Sequence, residues 1–120
     1  MSMAEPAPAT GLAGPAPIFA ALGDPTRLSL LMRLSDGQTR SITLLAADGR
    51  LTRQAVTKHL RVLQDVGLVD HVRAGRETLY ACRPEPLDMA RAWLDRVAAQ
   101  WDDALGRLKM FVETEDRRRP

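Results

Sequence analysis

Cysteine is almost missing from this 120-residue chain, and the lone Cys82 can neither close an intrachain disulfide nor build a cysteine-rich zinc site. The fold is therefore expected to rest on packing, in a reducing, cytoplasmic setting. No apolar run is long enough to span a bilayer, so no membrane role is expected. No Lys or Arg precedes Arg27 to begin a secretory signal. Also missing are an activated nucleophile, a carboxylate pair, a glycine-rich phosphate loop and a metal-ligand cluster at usable spacing, which argues against an enzyme and against any cofactor. At 13.2 kDa the chain has room for about one domain.

Lysine is scarce too, with two against fifteen arginines, and the bases are unevenly placed. From Pro25 to Arg83 ten bases face five acids, giving +5, whereas from Pro84 to Asp116 four bases face eight acids, giving −4. A basic middle joined to an acidic tail suggests one surface for a polyanion and another for something else.

Residues 1–17, rich in alanine and proline, read as a flexible arm. Ile18, Phe19 and Leu22 open a short helix that Gly23 ends. Asp24 and Pro25 then fit the cap and first position of a second helix, with Leu28, Leu31, Met32 and Leu34 expected inward. A third helix fits residues 41–47, with Ile42, Leu45 and Ala46 inward. Thr52 is a good cap for a fourth helix over 53–66, which buries Val56, Leu60 and Leu63 and ends at Gly67, with Leu68 packing back on Leu63. The period then becomes alternating, predicting a β-hairpin over 68–82 with a charged tip at Ala74-Gly75-Arg76-Glu77. From Leu87 apolar residues recur at 87, 90, 94, 97, 101, 104, 108 and 111, a coiled-coil seam. A helix over 87–115 is about 44 Å long and needs a partner, most economically a second copy. Residues 117–120 read as a frayed basic end.

The fold class is thus mainly α with a small β-hairpin: a winged helix-turn-helix with a long C-terminal dimerisation helix. The 53–66 helix offers Arg53, Gln54, Thr57, Lys58 and Arg61 opposite its apolar face, with no acid between Arg53 and Gln64. Forked and amide side chains in that pattern suit base edges and phosphates in a major groove, though the bland reading is a solvated face. Arg73 and Arg76 at the hairpin tip suit phosphate contacts or the minor groove, or simply solubility.

The run IFAALGDPTRLSLLMRLSDG from Ile18, then AVTKHLRVLQDVGLV and HVRAGRETLY, resembles the ArsR/SmtB family of winged-helix transcriptional repressors over residues 18–111. That resemblance implies a homodimer built on the first and last helices, which binds double-stranded DNA at an inverted repeat and blocks transcription. It carries DNA contacts onto Thr52, Arg53, Gln54, Thr57, Lys58 and Arg61, and wing contacts onto Arg73 and Arg76. The dimer face is expected at Ile18, Phe19, Leu22, Leu87, Ala90, Leu94, Val97, Trp101, Ala104 and Leu108.

Against the family's metal-sensing pattern, the third-helix cysteine positions hold Ser41 and Thr43, poor ligands for soft metals. The last-helix site keeps Asp88 but reads Ala90, Trp101 and Ala104 elsewhere. A metal-independent member is expected. Cys82 as a redox switch, or a small-molecule effector pocket near Trp93, remains an alternative, as does a winged-helix protein-interaction module. His59 is expected to orient the recognition helix, and His71 lies on the hairpin.

Overall fold

Proline and aspartate set the first two helices in the computed structural model, which describes residues 14–118. Helix α1 (Ala16–Leu22) has proline in its first turn, where the missing N–H costs nothing. Helix α2 (Pro25–Leu34) is capped by Asp24, whose carboxylate accepts from the Arg27 backbone N–H at 3.0 Å. The stretch read as an arm lies outside the described residues through 13, and its end is already helical, since α1 begins at Ala16.

The apolar side of α2 differs from the expected one. Leu30, Leu31 and Leu34 are buried, while Leu28 is 50% and Met32 73% exposed. Five apolar residues surround this helix, so composition alone does not mark its inward side. Strand β1 (Arg40–Ser41) follows, then a single turn of helix, α3 (Ile42–Leu45), shorter than the expected 41–47 at both ends, because Ser41 is claimed by the sheet and Ala46 leaves the helical conformation as the C-cap. Ser41 also caps α3, its Oγ accepting from Leu44 N–H at 3.1 Å.

Helix α4 (Arg53–Asp65) is capped by Thr52, whose hydroxyl oxygen accepts from Ala55 N–H at 3.0 Å. It buries Val56, Leu60 and Leu63. Its end is a Schellman motif: Leu68 N–H donates to Leu63 O and Gly67 N–H to Gln64 O, both at 2.9 Å, with Gly67 at φ +80°.

Strands β2 (Val69–Ala74) and β3 (Glu77–Cys82) form the hairpin, in register from Val69↔Cys82 to Ala74↔Glu77. Gly75 alone of the two turn residues has positive φ, the II′ arrangement that matches strand twist. Strand β1 pairs with the other edge of β3, Arg40 opposite Tyr80 and Ser41 opposite Leu79, so the sheet has three antiparallel strands in the order β1-β3-β2. The helical core, with Ile18, Leu34, Leu45, Leu60 and Leu63 fully covered, also takes in Leu68, Val69 and Tyr80.

Helix α5 (Glu85–Arg118) starts two residues before the expected Leu87 and includes Arg117 and Arg118 of the expected frayed end; residues 119–120 lie outside the described part. The chain divides into a unit ending at Ala90 and a second unit, the α5 residues from Arg91 onward. Within the second unit Leu94, Trp101, Leu108 and Phe111 are exposed, and Val97 and Ala104 half-buried. Leu105 and Val112 are exposed beside them, so the apolar stripe is wider than the two-position seam. Of the expected dimer residues, Ile18 and Ala90 are buried in the first unit's own core, with Phe19, Leu22 and Leu87 partly buried against it. Ile18 and Ala90 thus spend their surface inside the chain.

Candidate nucleic-acid interface

Burial of one side of α4 leaves Arg53, Gln54, Thr57, Lys58 and Arg61 exposed on the other. A hollow is lined by Arg53, Gln54, Thr57 and Lys58 with Ile42 of α3 at its wall. Thr57 donates its hydroxyl to Arg53 O at 2.8 Å, so toward a ligand it offers only lone pairs. Thr52, expected among the DNA contacts, also directs its hydroxyl oxygen at Ala55 N–H. Arg73 and Arg76 are exposed on the hairpin, with Arg73 Nε donating to Gly75 O at 3.2 Å, which ties that side chain over the turn.

The positive balance of residues 25–83 overstates this surface, because several bases are already engaged by the chain's own carbonyls and carboxylates. Arg27 Nε donates to Ala21 O at 2.6 Å, closing the end of α1, while its Nη1 lies 3.5 Å from His59 Nδ1 on α4. Asp24 Oδ2 stands 3.9 Å from the same imidazole nitrogen. The Arg27 backbone N–H holds the Asp24 carboxyl below its ordinary range. His59 thus lies against the start of α2.

Arg33 donates to Leu45 O at 2.9 Å and Leu44 O at 3.3 Å, satisfying the last carbonyls of α3. Arg40 grips Asp36 with two bonds, at 2.9 and 2.7 Å, and holds its carboxyl far below the usual range. Arg83 lies between Asp70 at 3.7 Å and Glu85 at 3.9 Å. None of these intrachain contacts has a periodic signature, although the i,i+4 spacing of Asp36 and Arg40 is visible in sequence. Burial, with a smaller effect from Glu85, pushes the Cys82 thiol up, disfavouring the reactive thiolate.

A helix-turn-helix domain family matches residues 22–72. The HTH-type transcriptional regulator YuzN of Bacillus subtilis is 38% identical over 85 residues, 65% of this chain and 92% of that one. An ArsR-like transcriptional regulator from Rhodococcus has a solved structure similar at TM-score 0.71 and 39% identity, over 83% of this chain and 93% of that one. The chain belongs to the ArsR/SmtB family of winged helix-turn-helix regulators. It is a DNA-binding transcriptional regulator and not an enzyme. The homodimeric winged helix-turn-helix DNA-binding domain of Mycobacterium bovis, a possible ArsR-family regulator, is similar at TM-score 0.59 and 28% identity, over 83% and 91% of the two chains. In the terms of this fold α3 and α4 are the helix-turn-helix, and β2 and β3 the wing. Among the described residues no helix is long and apolar enough to cross a membrane.

Proposed function

We propose that this chain is a homodimeric, metal-independent repressor that binds an inverted-repeat operator. Each α4 enters a major groove and each wing lies along the adjacent backbone. The observation that carries the reading is the acid-free exposed face of α4 from Arg53 to Arg61, backed by a fully buried Val56-Leu60-Leu63 line. A helix so anchored presents forked donors to base edges without losing its place in the core.

Dimerisation is supported by the exposed stripe of the second unit, where Trp101 is 63% and Leu108 57% exposed. The homodimeric M. bovis domain supports the same assembly. Metal independence is supported by the donors present: Ser41 Oγ is engaged in capping α3, and Ala90 lies in the core where a ligand side chain is needed.

The test is fluorescence-anisotropy titration of a duplex selected from a random library against a scrambled duplex, at two salt concentrations, with and without chelator. Selective binding that weakens steeply with salt and ignores chelator is expected. Equal, weak binding to both duplexes overturns the operator reading, and loss with chelator overturns metal independence.

A further inference from the structure

A second hollow lies between α4 and the wing, separate from the one at the N-terminal half of α4 and sharing only Thr57 with it. The helix contributes Arg61, Gln64 and Asp65, and the wing contributes His71, Thr78 and Tyr80. Side chains opposite one another across β2 and β3 share a face, so His71 pairs with Tyr80 and Arg73 with Thr78 on this side of the sheet. The Tyr80 ring is buried at the floor, and the exposed His71 ring lies beside it, centroids 5.6 Å apart and tilted by 41°.

The lining decides the chemistry. One guanidinium, one imidazole, one carboxamide, the Tyr80 phenol and the hydroxyls of Thr57 and Thr78 line it from α4, β2 and β3, with the Thr57 hydroxyl already donating to Arg53 O, and apart from the Tyr80 ring nothing there receives an apolar ligand. Such mixed charged and neutral donors suit the oxygens of a tetrahedral phosphate. Asp65, at the end of α4, is the one carboxylate of the hollow and opposes an anion.

We propose that this hollow is a phosphate seat, with Arg61, His71 and Thr78 as its donors and Asp65 limiting its affinity. The proposal rests on the DNA-binding reading for its first source of phosphate, the DNA backbone beside the groove that α4 enters. A free phosphate ion is the second source, and because Arg61 and Thr57 belong also to the α4 DNA face, that ion competes with DNA directly. Clamping a backbone phosphate between helix and wing fixes how far α4 turns into the groove, so the seat sets register rather than reading bases.

The experiment has two arms on the full-length protein. In the first, methylphosphonate linkages replace phosphates one at a time in the selected duplex. One position flanking the half-site is expected to weaken wild-type binding about tenfold, a penalty that His71→Ala and Thr78→Ala each remove, while Asp65→Asn tightens binding to the unmodified duplex. In the second, NMR spectra of the DNA-free protein are titrated with inorganic phosphate against sodium chloride of equal ionic strength. Shifts confined to Arg61, Gln64, His71 and Thr78, lost in His71→Ala, identify a seat that also takes the free ion. Methylphosphonate penalties unchanged in both wing variants, together with no phosphate-specific shifts, overturn the seat. Failure of the wild type to bind any duplex instead overturns the DNA-binding reading, and the NMR arm still decides the seat. Circular dichroism of each variant separates these losses from unfolding.

Discussion

The guanidinium of Arg27 stands 3.5 Å from the imidazole Nδ1 of His59 across 32 positions of sequence, while its Nε closes the end of α1 on Ala21 O. One side chain therefore joins α1, the start of α2 and the recognition helix. Arg27→Ala is expected to cost about 1–3 kcal/mol by removing charged hydrogen bonds to partly buried groups, measured by chemical denaturation. Arg27→Lys keeps the charge but loses the fork, and recovery of no more than part of the loss is expected. Full stability in Arg27→Ala contradicts the joint.

The Asp36–Arg40 pair predicts an acid-dependent contribution to stability. The folded carboxyl is held below its unfolded value, chiefly by the Arg40 side chain. Its contribution is complete above the unfolded pKa of about 3.9 and is lost as pH falls below it toward the folded value. The gap in melting temperature between wild type and Asp36→Asn is therefore expected to stay constant from pH 7 to 5 and narrow below about pH 4. A gap that widens in acid reverses the assignment.

Gly67 stands at φ +80°, and an added Cβ meets only Pro86 Cγ at an ordinary 3.5 Å. Gly67→Ala thus pays for backbone conformation and not for a clash, about 1–2 kcal/mol. Denaturant titration showing no loss would remove the Schellman end as a contributor.

Arg53→Ala and Lys58→Ala are expected to lower the slope of log affinity against log salt by about 0.9 for each phosphate contact removed. A residue that reads a base changes selectivity between duplexes instead. Paired anisotropy titrations at four salt concentrations divide the two roles.

Val97→Asp places a carboxylate on the half-buried seam of the second unit. A shift toward monomer in sedimentation equilibrium is expected, together with weaker operator binding although no DNA-facing residue has changed. Unaltered affinity in a monomeric variant removes the dimer from the binding mechanism.

Capping and turn chemistry were legible in the sequence because they act over three or four residues: Asp24, Thr52 and Gly67 all stand where their local signals put them. The α4 core line was equally plain, since Val56, Leu60 and Leu63 share one face and the polar side is uninterrupted. Helix α2 was not, because Leu28 and Met32 are as apolar as the Leu30 and Leu31 that the fold covers. Strand β1 escaped for a different reason, as two residues carry no period and their pairing with Leu79 and Tyr80 is wholly non-local. Among the site residues, Arg53 to Arg61 could be proposed from spacing, whereas Gln64, His71 and Thr78 share a hollow only after the wing folds against α4.

Ser41 serves two elements at once, pairing with Leu79 in the sheet while its hydroxyl oxygen caps α3. No residue is spare between strand and helix, so inserting or deleting even one there must sacrifice either a sheet partner or a cap. The stretch from Ala47 to Arg50 is exposed and free of strand pairing, and it is where changes in chain length are best absorbed. Length variation among relatives that preserve this helix-turn-helix is thus expected to gather before Thr52 and to avoid the Arg40–Ile42 junction.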